Sequence, residues 1–444
     1  MDGLRVGLLT YRGNPFSGGQ GIYVRNLSRE LVRAGHQVTV LAGPPYPVLD
    51  EGVRLVRLPS LDLYREPDPF RVPRREEYRD WIDVLEVGVM MTAGFPEPLT
   101  FSLRARRWLA QAGRHTAATC PPDCGHFDVV HDNQCLGYGL LGVRQPLVAT
   151  VHHPIQVDRD IELAAATGFR RISLRRWYGF TTMQRRVARR LRHVITVSDA
   201  SAAQITAHLG VPRQRQTVVP VGTDTDLFSP DPSVPREPGR VVTTASADVP
   251  LKGLAVLVEA IAKLRTERPV ELVVIGTARS GGAAAELIDR YGLADAVRFT
   301  GRVSDAELVD HLRRAQVAVV PSLFEGFSLP AVEAMACGTP LVVTTGGALP
   351  EVVGPDGHAA LLVPPGDAQA LAAAIGRVLD DPDLGARLGA AGRARVISRF
   401  TWRVAAERTA EVYRQAIADH AARRGGRTER GAGRAERRAD RAER

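Results

Sequence analysis

Two hydrophobic rhythms alternate along the chain. Short apolar runs of four to seven residues recur, beginning with Leu4–Thr10 and His36–Leu41. Further runs follow at 53–58, 128–131, 147–151, 193–198 and 216–221. Their length and their place between helical stretches suit the strands of a βα alternation. Between them lie stretches with apolar residues at helical spacing. The first carries Ile22, Val24, Leu27, Leu31 and Val32 and stops at Gly35. The same alternation restarts at Arg240–Ala245. A helix over 252–266 follows, with Leu254, Leu257, Val258 and Ile261 inward, then strand 270–275, helix 283–291 and strand 297–300. Ser304-Asp-Ala-Glu307 forms a capping box that opens helix 304–315, and strand 341–344 precedes a closing run of helices. Strand–helix alternation of this kind predicts an α/β protein, and 444 residues exceed one core, so at least two domains are expected. The Pro-rich residues 230–238 read as the joint between them, while 60–125, irregular and with many Pro and Arg residues, reads as a set of loops and helices.

Candidate chemistry gathers in the stretch Ser322-Leu-Phe-Glu325-Gly-Phe327-Ser328-Leu329-Pro330-Ala-Val-Glu333, which runs on to Gly338-Thr-Pro340. The apolar run Val317–Val320 stops at Pro321, a turn with Gly326 follows, and Pro330 suits the first turn of a helix ending at Gly338. Glu325 then lies in a loop at the carboxyl end of a strand, where open α/β sheets bind ligands, and Glu333 lies on the next helix. The N–H groups of Phe327, Ser328 and Leu329 point into the helix mouth, which favours anions. Carboxylates for hydroxyls beside amides for phosphate describe a site for a sugar nucleotide. For a bare pair of glutamates, two ordinary polar residues flanking a turn would be the simpler account.

The opening βαβ unit has Gly13, Gly18, Gly19 and Gly21 between strand and helix. Their spacing is not G-x-G-x-x-G, and no acidic residue follows the second strand, which argues against a nicotinamide or flavin cofactor. Cys120, Cys124, His126, His131 and Cys135 crowd one stretch, but C-x3-C and C-x-H match no standard zinc pattern, so no metal site is expected.

The whole string 322–340, with the loop Thr344–Glu351 behind it, resembles the E-x7-E signature of GT4-type retaining glycosyltransferases of the GT-B fold. Val218–Pro230 is similar to that family's interdomain segment, and Lys252-Gly253 to its Lys-Gly pair. The resemblance implies two Rossmann-like doubly wound domains facing a cleft, with a C-terminal helix crossing back to the first. The implied boundaries are 1–229 for an acceptor-side domain, 230–239 for a linker, 240–400 for a nucleotide-sugar domain and 401–420 for the crossover helix. It implies transfer of a sugar from a nucleotide-diphosphate donor to an acceptor hydroxyl, with retention and without metal or cofactor. The acceptor would be a sugar, a lipid-linked molecule or a small molecule.

By the same resemblance Gly18-Gly19 lets the backbone approach the donor phosphate. His152, in Thr150-Val-His152-His153-Pro154, stands next to the reacting sugar. Lys252 meets the diphosphate, Glu325 holds donor-sugar hydroxyls, Glu333 holds the ribose, and Arg302 lies in a loop used mostly for the base. The chain departs from the pattern at Ser246, where the family carries an Arg for the diphosphate. That departure keeps a second reading open, a nucleotide-sugar binder with weak or no transfer. A nucleotide-sugar epimerase of the same architecture is the third reading.

Composition adds limits. The net charge of +9 suggests nucleic acid, but from residue 421 onward nine Arg stand against four Asp or Glu, more than half of the excess. Residues 421–444 hold few large apolar side chains and read as a disordered, Arg-rich tail, so no nucleic-acid partner is expected. Four cysteines make no disulfide framework, and Met1-Asp2-Gly3 leads straight into a strand without a secretory leader. A cytoplasmic protein is expected. The basic, aromatic stretch 163–192, read as helix, leaves room for a peripheral contact with the inner membrane surface.

Overall fold

The computed structural model describes residues 3–14, 19–112, 126–244, 249–277 and 281–442. The chain divides into two compact units. The first comprises Met1–Thr196, Ala202–Val219 and Ala406–Arg444, the second Val197–Ser201 and Pro220–Ala405. The change of unit falls at Val219/Pro220, and strand structure resumes at Glu237.

Among the described residues the first unit holds seven parallel strands, β1 (Arg5–Thr10), β2 (Gln37–Ala42), β3 (Arg54–Arg57), β4 (Val129–Asn133), β5 (Leu147–Thr150), β6 (His193–Thr196) and β7 (Gln216–Val218). They are ordered β3-β2-β1-β4-β5-β6-β7. The second unit holds six more, β8 (Glu237–Thr244), β9 (Glu271–Ile275), β10 (Val297–Phe299), β11 (Ala315–Val320), β12 (Leu341–Thr344) and β13 (Leu361–Val363). Their order is β10-β9-β8-β11-β12-β13. Both are doubly wound: the order runs outward from one strand, returns, and runs outward the other way.

Alternation along the second sheet fills two cores. Val241, Leu272, Val274, Val317 and Val319 pack on one face, and Val242, Val273, Ile275, Ala318 and Val320 on the other. Helices cover both faces, which is why the strands carry no polar stripe. The expected capping box is present, with Ser304 N donating to Glu307 Oε2 at 2.7 Å and Glu307 N to Ser304 Oγ at 3.3 Å.

Residues 60–125 include, among their loops, helices Trp81–Met91 and Glu97–Ala112, and Phe101, Ala105 and Leu109 of the second pack into the core beneath the first sheet. Two expectations need correction. The stretch 163–192 is not one helix. It is divided among Ile155–Ala165, Gly168–Trp177 and Phe180–Ala188, with breaks at Ala166–Thr167 and Tyr178–Gly179. The tail expected to be disordered from 421 is the end of a helix, Trp402–Ala442. Ala, Arg and Glu are strong helix formers, and a helix already nucleated on a packed segment extends at little cost. That packed segment includes Ala405, Thr409, Val412, Tyr413 and Ala416, all buried. Among the described residues no helix is long and apolar enough to cross a membrane.

Candidate active site

In the second sheet the winding reverses between β8 and β11, so the loops leaving these strands splay apart and open a crevice. Lys252 lies in the turn Pro250–Lys252 after β8, and Glu325 in the loop after β11. The two side chains meet, with Lys252 Nζ 2.8 Å from Glu325 Oε1. Ser322 Oγ donates to the same oxygen at 2.7 Å. Glu325 is only 8% exposed, whereas the Lys252 side chain is 38% exposed. A shielded carboxylate is thus held by a cation that still reaches solvent.

The backbone fixes this pair from several sides. Leu323 N donates to Leu251 O at 2.8 Å and ties the two loops together, while Ala348 N donates to Glu325 O at 2.9 Å. Thr344 Oγ1 donates to Ser322 O from the end of β12. Ser328 has φ +90°, which a non-glycine residue adopts only when its surroundings force it. Its Oγ accepts from Ala331 N and caps helix Leu329–Ala336.

The residues named from sequence divide here. The Phe327 ring is buried against Phe400, with centroids 5.8 Å apart at 74°, so its side chain belongs to the core and only its backbone is left for a ligand. Leu329 begins the helix and packs against the same core. Arg302 is exposed beyond β10. Gly18 and Ser246 lie outside the described residues, and Gly19 opens helix Gly19–Arg33.

Glu333 sits half-buried on helix Leu329–Ala336. Burial, and then the charge of Asp305, raise its carboxyl from 4.5 to about 7. The folded state therefore holds a proton that the unfolded chain releases near 4.5. This group's stabilisation is complete below that value and is lost as pH rises through about 7. Glu333→Gln should flatten this part of the melting-temperature profile, compared with wild type in thermal melts from about pH 4 to 8. An unchanged profile would mean that Glu333 is an ordinary solvated carboxylate.

In the first unit the reversal lies between β1 and β4. His152 follows β5 and is half-buried. Burial, with His153 close by, lowers it to about 4, so it is neutral at physiological pH. Its ring meets Tyr23 edge-on at 4.7 Å, and Nε2 lies 2.9 Å from Asn133 Oδ1 at the end of β4. The amide oxygen can only accept, so Nε2 carries the proton and Nδ1 is left as an acceptor. Behind it runs a buried polar chain. Tyr23 Oη lies 3.2 Å from Thr150 Oγ1, Thr150 Oγ1 2.7 Å from His131 Nε2, and His131 Nδ1 2.7 Å from Tyr413 Oη.

His131 therefore has a partner at each ring nitrogen. Cys135 is a buried free thiol whose Sγ donates to Pro98 O at 3.0 Å. Cys120 and Cys124 lie outside the described residues.

Sequence reasoning overlooked Arg12, Glu97 and Asn133. Arg12 follows β1 at the carboxyl edge of the sheet and pairs with Glu97: its Nη2 donates to Oε1 at 2.9 Å, and its Nε lies 2.6 Å from Oε2. It also lies 5.9 Å from the ring centres of both Tyr64 and Phe95. Glu97 is 8% exposed, and burial lifts its carboxyl to about 7 despite the opposing arginine. The available signal was position: Arg12 stands two residues beyond strand 4–10, at a strand's carboxyl end as His152 does.

Two family models match the chain, Glycosyltransferase Family 4 over residues 17–227 and Glycosyl transferases group 1 over residues 238–381. The chain is 52% identical to the MMP alpha-(1->4)-mannosyltransferase of Mycolicibacterium hassiacum, across 94% of this chain and all of that one. It is 30% identical to the D-inositol 3-phosphate glycosyltransferase of Kineococcus radiotolerans, covering 95% and 97% of the two chains. Among solved structures, sucrose-phosphate synthase from Thermosynechococcus elongatus matches with TM-score 0.68 and 26% identity, covering 94% of this chain and 100% of that one. The HepE protein of Anabaena, solved with UDP, shares the fold at TM-score 0.63 and 20% identity, over 93% of this chain and all of that one.

Proposed function

Since the chain belongs to the group 1, family 4 glycosyltransferases, we propose that it moves a mannosyl unit from a nucleotide-diphosphate sugar to a saccharide hydroxyl. In this reading the new bond is α-(1→4), the anomeric configuration of the donor is retained, and no metal ion takes part. The observation that carries it is the cation–carboxylate pair Lys252–Glu325 between the two loops at the reversal of the second sheet. A carboxylate so enclosed suits sugar hydroxyls, and the lysine beside it suits the charge that develops on a departing diphosphate. Donor binding would exchange the lysine's contact with Glu325 for one with phosphate oxygens. Glu333 would take the ribose hydroxyls, and Arg302 the base side. The N–H groups at Ser328 would take phosphate, with the strained backbone there as support. The neutral imidazole of His152 would accept a donor-sugar hydroxyl through Nδ1 without adding charge. The departing diphosphate would receive the acceptor's proton.

The test is thermal stabilisation by UDP-, GDP- and ADP-linked mannose and glucose, followed by product analysis of the anomeric linkage. A ligand at a hundred times its dissociation constant should add about 2.7 kcal/mol. One nucleotide should stabilise the wild type and lose its effect in Glu333→Ala. Stabilisation that survives in the variant would remove Glu333 from the donor site. Silence across the panel, with no product, would leave a binder of something else.

A further inference from the structure

A cavity of about 330 Å³ opens in the first unit between helices Trp81–Met91, Glu97–Ala112 and Phe180–Ala188. Its wall includes Phe95, Tyr138, Arg176, Phe180, Thr182 and Arg186. The Phe95 and Phe180 rings are half-buried and meet at 5.3 Å, tilted by 63°, so they offer apolar faces without closing the space. The rest of the wall sets apolar Val89, Pro96, Leu99 and Met183 beside a smaller group of hydrogen-bonding side chains. Arg186 Nη1 donates to Tyr138 Oη at 3.0 Å, and Arg176 binds Thr92 through Nε and Nη2 at 3.1 Å and 2.8 Å. Each guanidinium carries five N–H donors, so these bonds leave others to offer a ligand.

Aromatic faces beside a fork of donors match a pyranose ring, which has an apolar C–H face and a rim of hydroxyls. An alkyl chain would cover the rings but make no use of the remaining guanidinium donors, from which a ring hydroxyl can accept. Position adds a second argument. Phe95 is shared: one side lines the cavity, while the ring also lies 5.9 Å from the Arg12 guanidinium at the carboxyl edge of the first sheet. A saccharide anchored at that edge would therefore continue into the cavity past Phe95.

We propose that this cavity is a second saccharide subsite, holding sugars of an oligosaccharide acceptor beyond the unit that receives the transferred residue. The proposal rests on the reading of the first unit as the acceptor side. Its consequence is a preference for longer acceptors, set away from the reacting atoms.

The experiment measures acceptor KM against chain length, using α-(1→4)-linked mannose oligosaccharides of one to four units. Saturation-transfer NMR of the longest, without donor, accompanies it. In the wild type KM should fall by about tenfold from shortest to longest, as one stacked ring and its hydrogen bonds would give. Phe180→Ala and Arg186→Ala should each flatten that gradient and weaken the NMR transfer. Arg186 is exposed, so its variant separates lost binding from lost folding. A wild-type KM independent of length, or a gradient intact in Arg186→Ala, overturns the proposal. So does an alkyl mannoside that gains as much as the longest oligosaccharide, since the cavity would then take an aglycone. If no acceptor is turned over, the reaction assigned above fails, while the NMR comparison still decides the cavity.

Discussion

Lys252→Ala should lower kcat by about 100- to 1,000-fold, the usual loss when one preorganised donor to a developing charge is removed. The magnitude follows from where the lysine stands. It reaches a crevice whose carboxylate is 8% exposed, so its field is less screened than that of a surface cation. The cost in stability should be smaller, about 1 kcal/mol, because the lysine itself is 38% exposed and Ser322 still holds Glu325. Lys252→Arg should recover only part of the rate, because a planar fork does not replace a point charge seated on one carboxylate oxygen. Single-turnover kinetics at saturating donor provide the measurement. A variant with unchanged kcat and raised KM would mean that the lysine binds the ground state alone and that another group meets the leaving charge.

The two Rossmann-like sheets were legible because most of their strands are buried. Runs such as Leu272–Ile275 and Val317–Val320 are short and bounded by turn residues, which favours a covered parallel strand over a helix. The stretch 322–340 was legible because strand, turn, helix and carboxylates occur in sequence, so local pattern alone places Glu325 at a strand's end. Pairing across long separations was not. Arg12 and Glu97 are 85 residues apart, and His131 and Tyr413 are 282 apart. No periodicity in one segment announces its partner in another. The end of the last helix was misread for a different reason: lack of apolar residues excludes packing, but it does not exclude a helix continued from a packed start.

Gly347→Ala should inactivate the protein about as strongly as loss of Lys252, although glycine contributes no chemistry. A β-carbon at Gly347 would fall 2.2 Å from Glu325 O and 2.9 Å from Glu325 N, and the residue has φ +63°. Neither neighbour is the yielding end of a side chain, so the backbone carrying Glu325 has to move. That shift would break the bond from Ala348 N and carry the carboxylate away from Lys252 and Ser322. Gly357 supplies the control. It has φ +75°, but a β-carbon there meets nothing within 4 Å. Gly357→Ala should therefore show only the backbone strain, about 1 kcal/mol in a thermal or denaturant melt, with activity intact. If Gly347→Ala behaves like Gly357→Ala in both melt and turnover, the position of Glu325 is not fixed by this contact. A large loss of turnover at Gly347 with only a modest difference between the melts would instead locate catalysis in the placement of the pair. The close packing of two loops, rather than the acidity of either residue, would then set the site.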